Sequence, residues 1–120
     1  MTAYYEEIME IWREGKYFDA IRNFSRWMLK GLVAKDESKS FKKELARFLE
    51  LAEVECEENT EVMFSLYEML KRVRGWNDET FCRKLEISEK AIEDIKACRR
   101  PRSKAVGLRM LYELFPQMAV

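Results

Sequence analysis

Residues 74–114 read RGWNDETFCRKLEISEKAIEDIKACRRPRSKAVGLRMLYEL, and the fold turns on how this stretch is divided. Gly75 stops one helix, and Asn77 stands where it can cap the next. Asp78 and Glu79 then fall in that helix's first turn, where negative charge meets the positive end of the helix dipole. The helix is short and its apolar stripe is Phe81, Cys82 and Leu85. Glu86, Ile87 and Ser88 follow, with Ser88 as the next N-cap and Ile87 set to plug the gap between the two helices. From Glu89 to about Ala97 the apolar positions are Ala91, Ile92 and Ile95, which predicts an outer face of Glu89, Lys90, Glu93, Asp94 and Ala97.

Upstream the same three- and four-residue recurrence continues. It runs through Tyr4, Ile8, Ile11 and Trp12, then Phe18, Ile21, Phe24, Trp27 and Met28. Phe41, Leu45, Phe48, Leu49 and Ala52 follow, and then Val62, Leu66, Met69, Leu70 and Val73. No strand-length alternation flanked by turn residues interrupts it. Breaks are expected at Gly15, in the polar residues 35–40, at residues 57–59, and at Gly75, Ser88, Pro101 and Pro116. The expectation is an all-α protein of about four long helices followed by three short ones. Residues 1–58 form an N-terminal helical layer packed on a C-terminal unit, residues 59–120.

The 120 residues are 48% hydrophobic and 37% charged, with seven Phe, five Tyr and three Trp, which excludes a disordered coil. No apolar run reaches the ~18 residues of a membrane span. The opening MTAYYEEIMEI carries acids where a signal peptide carries bases, so a cytoplasmic protein is expected. Cys56, Cys82 and Cys98 are odd in number and lack short metal-ligand spacing. With no histidine and no glycine-rich phosphate loop, neither metal, cofactor nor catalysis is expected. The formal charge of zero is a sum of opposites. Residues 1–70 carry 10 Lys/Arg against 15 Asp/Glu, and residues 71–120 carry 12 against 7. A basic surface in the second half follows.

A short helix, a tight turn and a second short helix of this kind is the unit that lays a recognition helix in the DNA major groove. The last 55 or so residues resemble the helix-turn-helix of phage-repressor (Cro-like, also called XRE-like) regulators. Gly75-Trp76-Asn77 stands where that family has Gly, an apolar residue and a cap; Phe81-Cys82 stands at its Leu-Ala pair, and Ile87-Ser88 at its turn. Ile92 and Ile95 match its recognition-helix core. Arg99-Arg100-Pro101, with Ser103 opening the last helix, matches its ending. The departures are Glu86 at the turn glycine, Cys98 at the glycine after the recognition helix, Lys96 at a buried Glu, and Asp78 at a phosphate-contacting Gln. The resemblance implies a DNA-binding transcription regulator. Its contacts would come from Asn77, Glu89, Lys90 and Glu93, and from Arg99, Arg100, Arg102 and Lys104. The last four lie in KACRRPRSK, residues 96–104, with five Lys/Arg and no acid. Carboxylates on the reading face accept from cytosine amino groups and repel phosphate.

GKYFDAIRNFSRWMLKGL, residues 15–32, is similar to the second helix of a tetratricopeptide repeat, with Gly15, Tyr17, Ala20 and Phe24 at that family's spacing. No second copy follows at the ~34-residue period, so an ordinary helical hairpin fits equally. Trp12, Tyr17, Trp27 and Met28 are either core or the anchors of an interface to a homodimer mate or another protein. The acidic residues 50–61 are a solvated helix end, or fold back on the basic loop, or meet a basic partner. Two functions stand at this point: a regulator that binds double-stranded DNA, and a protein-interaction adaptor whose helix-turn-helix no longer reads DNA.

Overall fold

A computed structural model describes the backbone of residues 3–33 and 39–114. Seven helices account for most of it: α1 (Ala3–Arg13), α2 (Tyr17–Val33), α3 (Lys39–Glu58), α4 (Thr60–Arg74), α5 (Asp78–Leu85), α6 (Glu89–Lys96) and α7 (Val106–Leu114). Among the described residues there is no strand, and the fold is all-α. Four long helices precede three short ones. No described helix is long and apolar enough to cross a membrane. The expected break at Pro116, most of that at residues 35–40, and the Tyr4 side chain lie outside the described residues. The chain divides into two compact units between Ala52 and Glu53, inside α3 and six residues before the boundary expected at 58.

In the first unit α1 and α2 pack on each other, joined through Gly15 at φ 81°. The positive φ is a conformation that glycine adopts without steric cost, and it ends α1. Gly15 and Lys16 donate to the carbonyls of Trp12 and Ile11 at 2.9 and 3.2 Å, so the helix end is satisfied. Ala20, Ile21 and Phe24 are fully buried. The Phe24 ring stacks on Phe48 of α3 at 4.4 Å, and Trp12 meets Phe48 edge-on at 5.8 Å. Trp27 lies edge-on to Phe24 and Phe41. Edge-to-face and offset pairs of this kind add roughly 0.5–1.5 kcal/mol each beyond their burial. The guanidinium of Arg47 covers the Tyr5 ring at 4.3 Å.

The second unit is Glu53–Leu114. Its core is Val62, Leu66, Tyr67 and Leu70 of α4, Phe81 and Leu85 of α5, Ile92 and Ile95 of α6, and Met110, Leu111 and Leu114 of α7. Helix α7 lies hard against the end of α3. A Cβ added at Gly107 would stand 2.0 Å from the Cys56 carbonyl oxygen and 2.6 Å from its carbon, so only glycine permits this approach. Glu57 reaches the first turn of α7 and accepts the Leu108 N–H at 2.9 Å, a cap supplied from fifty-one residues away. Tyr112 donates to the carboxylate of Glu53. Part of the acidic segment 50–61 therefore serves to hold α7. Its last carboxylates lead into Asn59, whose side chain accepts from the Glu61 and Val62 amides and starts α4. The last helix opens at Val106, three residues beyond the expected Ser103. Ala105 sits at φ 61°, a left-handed conformation that cannot continue back into a right-handed helix.

Candidate nucleic-acid interface

The caps between Gly75 and Ala91 form where local chemistry directs. Gly75 ends α4 at φ 69° and donates to the Lys71 carbonyl. The Asn77 side chain accepts the Thr80 N–H at 2.8 Å, and Ser88 Oγ accepts the Ala91 N–H at 3.2 Å. Each occupies one of the orphan donors of a helix start. Between the helices Glu86 adopts φ 54°, ψ 48°, the left-handed conformation that glycine would take there without strain. Ile87 is buried beside it, and its N–H donates to the Cys82 carbonyl at 3.1 Å. After α6 Cys98 repeats the pattern at φ 55°. Of the short stripe on α5, Phe81 and Leu85 are buried, while Cys82 is only half-buried.

The outer face of α6 carries Glu89, Lys90, Glu93, Lys96 and Ala97. Asp94 is not part of it. Its residue is 7% exposed, a correction to the expected outer face, and its carboxylate takes the Arg99 Nε at 3.2 Å and the Lys90 Nζ at 3.5 Å. The physical reason is position: Asp94 lies between Ala91 and Ile95 on the edge of the buried stripe. Its carbonyl also accepts the Arg99 N–H at 2.7 Å, so it ties the loop after α6 back to the helix.

A second carboxylate is spent in the same way. Asp78, at the start of α5, accepts from Tyr67 Oη of α4 and from Lys96 Nζ of α6. The Lys96 bond and then the Tyr67 bond hold its carboxyl below the ordinary carboxylate range. Burial, and then the bond to Asp78, push the Tyr67 phenol up. The two departures at Asp78 and Lys96 are thus reciprocal and form one ion pair that joins α5 to α6. The opposite charges of Asp78 and Lys96 are the signal the sequence offers for this pair.

The remaining charges divide by place. Arg100, Arg102 and Lys104 are exposed and make no ion pair among the described residues. They surround buried Pro101, and Arg102 and Ser103 stand beside Ser88 and Lys90 at the start of α6. Arg83 and Lys84 of α5 are exposed as well. Along α5 and α6 runs a groove of about 510 Å³ lined by Asp78, Glu79, Cys82, Glu89, Ile92, Glu93 and Lys96. Glu89 and Glu93 have no ionic partner among the described residues. Burial, and then the charge of Glu89, raise the Cys82 thiol.

Every residue offered as a DNA contact is therefore exposed. Asn77 is engaged as a cap, and Lys90 and Arg99 are partly drawn to Asp94. In the first unit Trp12 and Trp27 are buried at 5% and 7%, and Tyr17 and Met28 are half-buried. Of the two readings of Trp12 and Trp27, the core one describes them. Comparison with protein-family models, curated proteins and solved structures returns no match.

Proposed function

We propose that this chain is a small cytoplasmic regulator that binds double-stranded DNA. In this reading α5 and α6 act as a Cro-like helix-turn-helix, with α6 entering the major groove. The observation that carries it is the loop after α6. Arg100, Arg102 and Lys104 stand exposed there without an ion pair among the described residues, while Asp78 and Asp94 are already paired inside the protein. Cations at the end of a recognition helix are placed to hold phosphates and set the register. The first unit would supply contacts to a second copy or to another protein, and sedimentation at increasing concentration tests this.

The test of DNA binding is fluorescence anisotropy on a labelled mixed-sequence duplex between about 50 mM and about 200 mM salt. Binding is expected at the lower salt and falls steeply with salt. Arg100→Ala, Arg102→Ala and Lys104→Ala together should weaken it and reduce the slope of log K against log salt by about three. No duplex binding at low salt overturns the reading.

A second reading, the protein-interaction adaptor, is favoured by one observation. The groove along α5 and α6 is lined by Glu79, Glu89 and Glu93 beside the paired Asp78 and Lys96, and so presents net acid where phosphate would approach. An adaptor binds a basic peptide in that groove and stays silent toward duplex.

A further inference from the structure

We infer that Ser103 is a phosphorylation site and, resting on the DNA-binding reading, that its phosphate releases the chain from duplex. Two serine or threonine residues of the sequence have an arginine three residues upstream, Ser25 after Arg22 and Ser103 after Arg100. Ser25 is fully buried within α2 and closed to an enzyme. Ser103 lies outside the helices and is half-buried, and its hydroxyl has no hydrogen-bond partner among the described residues.

The loop around Ser103 suits a serine kinase that selects basic substrates. Arg99, Arg100 and Arg102 stand four, three and one residues before it. A kinase with carboxylates beside its cleft recognises such a serine through charge-assisted bonds to the guanidiniums. Arg100 and Arg102 are exposed and make no ion pair among the described residues, so both are available. A kinase takes its substrate as an extended segment, and no N–H of residues 100–104 donates a backbone hydrogen bond. Drawing the segment out therefore breaks no main-chain bond that it donates. Its buried side chain is Pro101, and that ring is what opening exposes.

In the step itself Ser103 Oγ attacks the γ-phosphorus of a nucleoside triphosphate. The Oγ–P bond forms as the bond from phosphorus to the bridging oxygen breaks. The nucleoside diphosphate leaves, and the hydroxyl proton passes to a base of the kinase. The product has room and partners. Ser103 lines a cavity of about 300 Å³ with Lys90 and Arg102, and a second of about 140 Å³ with Arg100, Arg102 and Lys104. Of the carboxylates on those walls, Asp94 is paired with Arg99 and Lys90, and Glu57 holds the Leu108 N–H. A phosphoserine carries a charge of about −1.5 to −2 and three acceptor oxygens. It neutralises from within about two of the three cations proposed to hold duplex phosphate, and its charge repels the duplex.

Incubating the full chain with ATP and a basic-selective serine kinase, the catalytic subunit of the cyclic-AMP-dependent enzyme, tests the site by mass spectrometry. Phosphate is expected on Ser103, and Arg100→Ala should slow its incorporation roughly tenfold. Anisotropy on a labelled mixed-sequence duplex then tests the switch, with phosphoserine placed at position 103 during synthesis. Binding should fall roughly fiftyfold at about 100 mM salt, and the slope of log K against log salt should drop by about two. Phosphatase treatment should restore both, and circular dichroism reports whether the fold is kept. Ser103→Ala should bind duplex as the wild type does, which separates the phosphate from loss of the hydroxyl. No phosphate on Ser103, or a phosphoserine chain that binds duplex as tightly as the unmodified one, overturns the inference and leaves the DNA reading standing. A chain that binds no duplex in either form overturns the DNA reading and the switch with it.

Discussion

Gly107→Ala sets two effects of opposite sign against each other, and the structure says which wins. In helix α7 alanine is favoured over glycine by about 1 kcal/mol, so judged as a helix position the substitution stabilises. Judged by its neighbours it does not, because the new methyl would stand 2.0 Å from the Cys56 oxygen and 2.6 Å from its carbonyl carbon. An ordinary contact lies near ~3.5 Å, so α7 must retreat by roughly 1.5 Å. Both sides of the contact are helix backbone, which has no rotamer to change. The retreat would loosen the packing of Met110, Leu111 and Leu114, all fully buried, and the bond from Leu108 to Glu57. Overpacking costs about 1–3 kcal/mol, and a backbone clash belongs at the upper end. The net is a loss of about 2 kcal/mol, a fall in Tm of roughly 10 °C. Thermal and urea unfolding of the full chain, followed by circular dichroism, measures it. A Gly107→Ala chain as stable as wild type, or more so, refutes the close approach of α7 to α3.

Two further outcomes follow from backbone strain and from thiol burial. Glu86 is exposed and left-handed at φ 54°, so Glu86→Gly should raise stability by about 1 kcal/mol in urea unfolding; an unchanged or lowered midpoint would remove the strain. The three thiols should alkylate in a fixed order near pH ~8, close to the ordinary thiol value. Exposed Cys98 should react first, and Cys82 more slowly because burial and Glu89 raise its pKa. Cys56, pushed up to about 12 by burial and then by Glu57, should react only on unfolding. Mass spectrometry of timed samples checks this order, and early labelling of Cys56 would contradict it.

Much of the local structure was legible because its causes are local. A cap joins a side chain to an amide two or three residues ahead, as Asn77 does with Thr80 and Ser88 with Ala91, so residue type and spacing suffice to locate it. Gly15 and Gly75 end their helices at positive φ for the same kind of reason. The all-α class follows from apolar recurrence at three and four residues, which a helix alone gathers onto one face.

The candidate site was legible in part. The exposed loop at Arg100, Arg102 and Lys104 and the carboxylates of Glu89 and Glu93 stand where the pattern put them. Asp94 did not, since an eight-residue helix has a narrow buried stripe and the neighbouring loop decides whether its edge is covered. The Asp78–Lys96 pair, the Glu57 cap on α7 and the seating of Gly107 on Cys56 join residues 18 to 51 positions apart.

Sequence by itself determined which segments of this protein are helical, where most of them start and stop, and that positive charge gathers after residue 70. Tertiary structure alone decided which charges remain available, because pairing depends on distances between segments that no local periodicity encodes. Of the second half's cations, Lys96 and Arg99 are thereby drawn to internal carboxylates, while Arg100, Arg102 and Lys104 make no ion pair among the described residues.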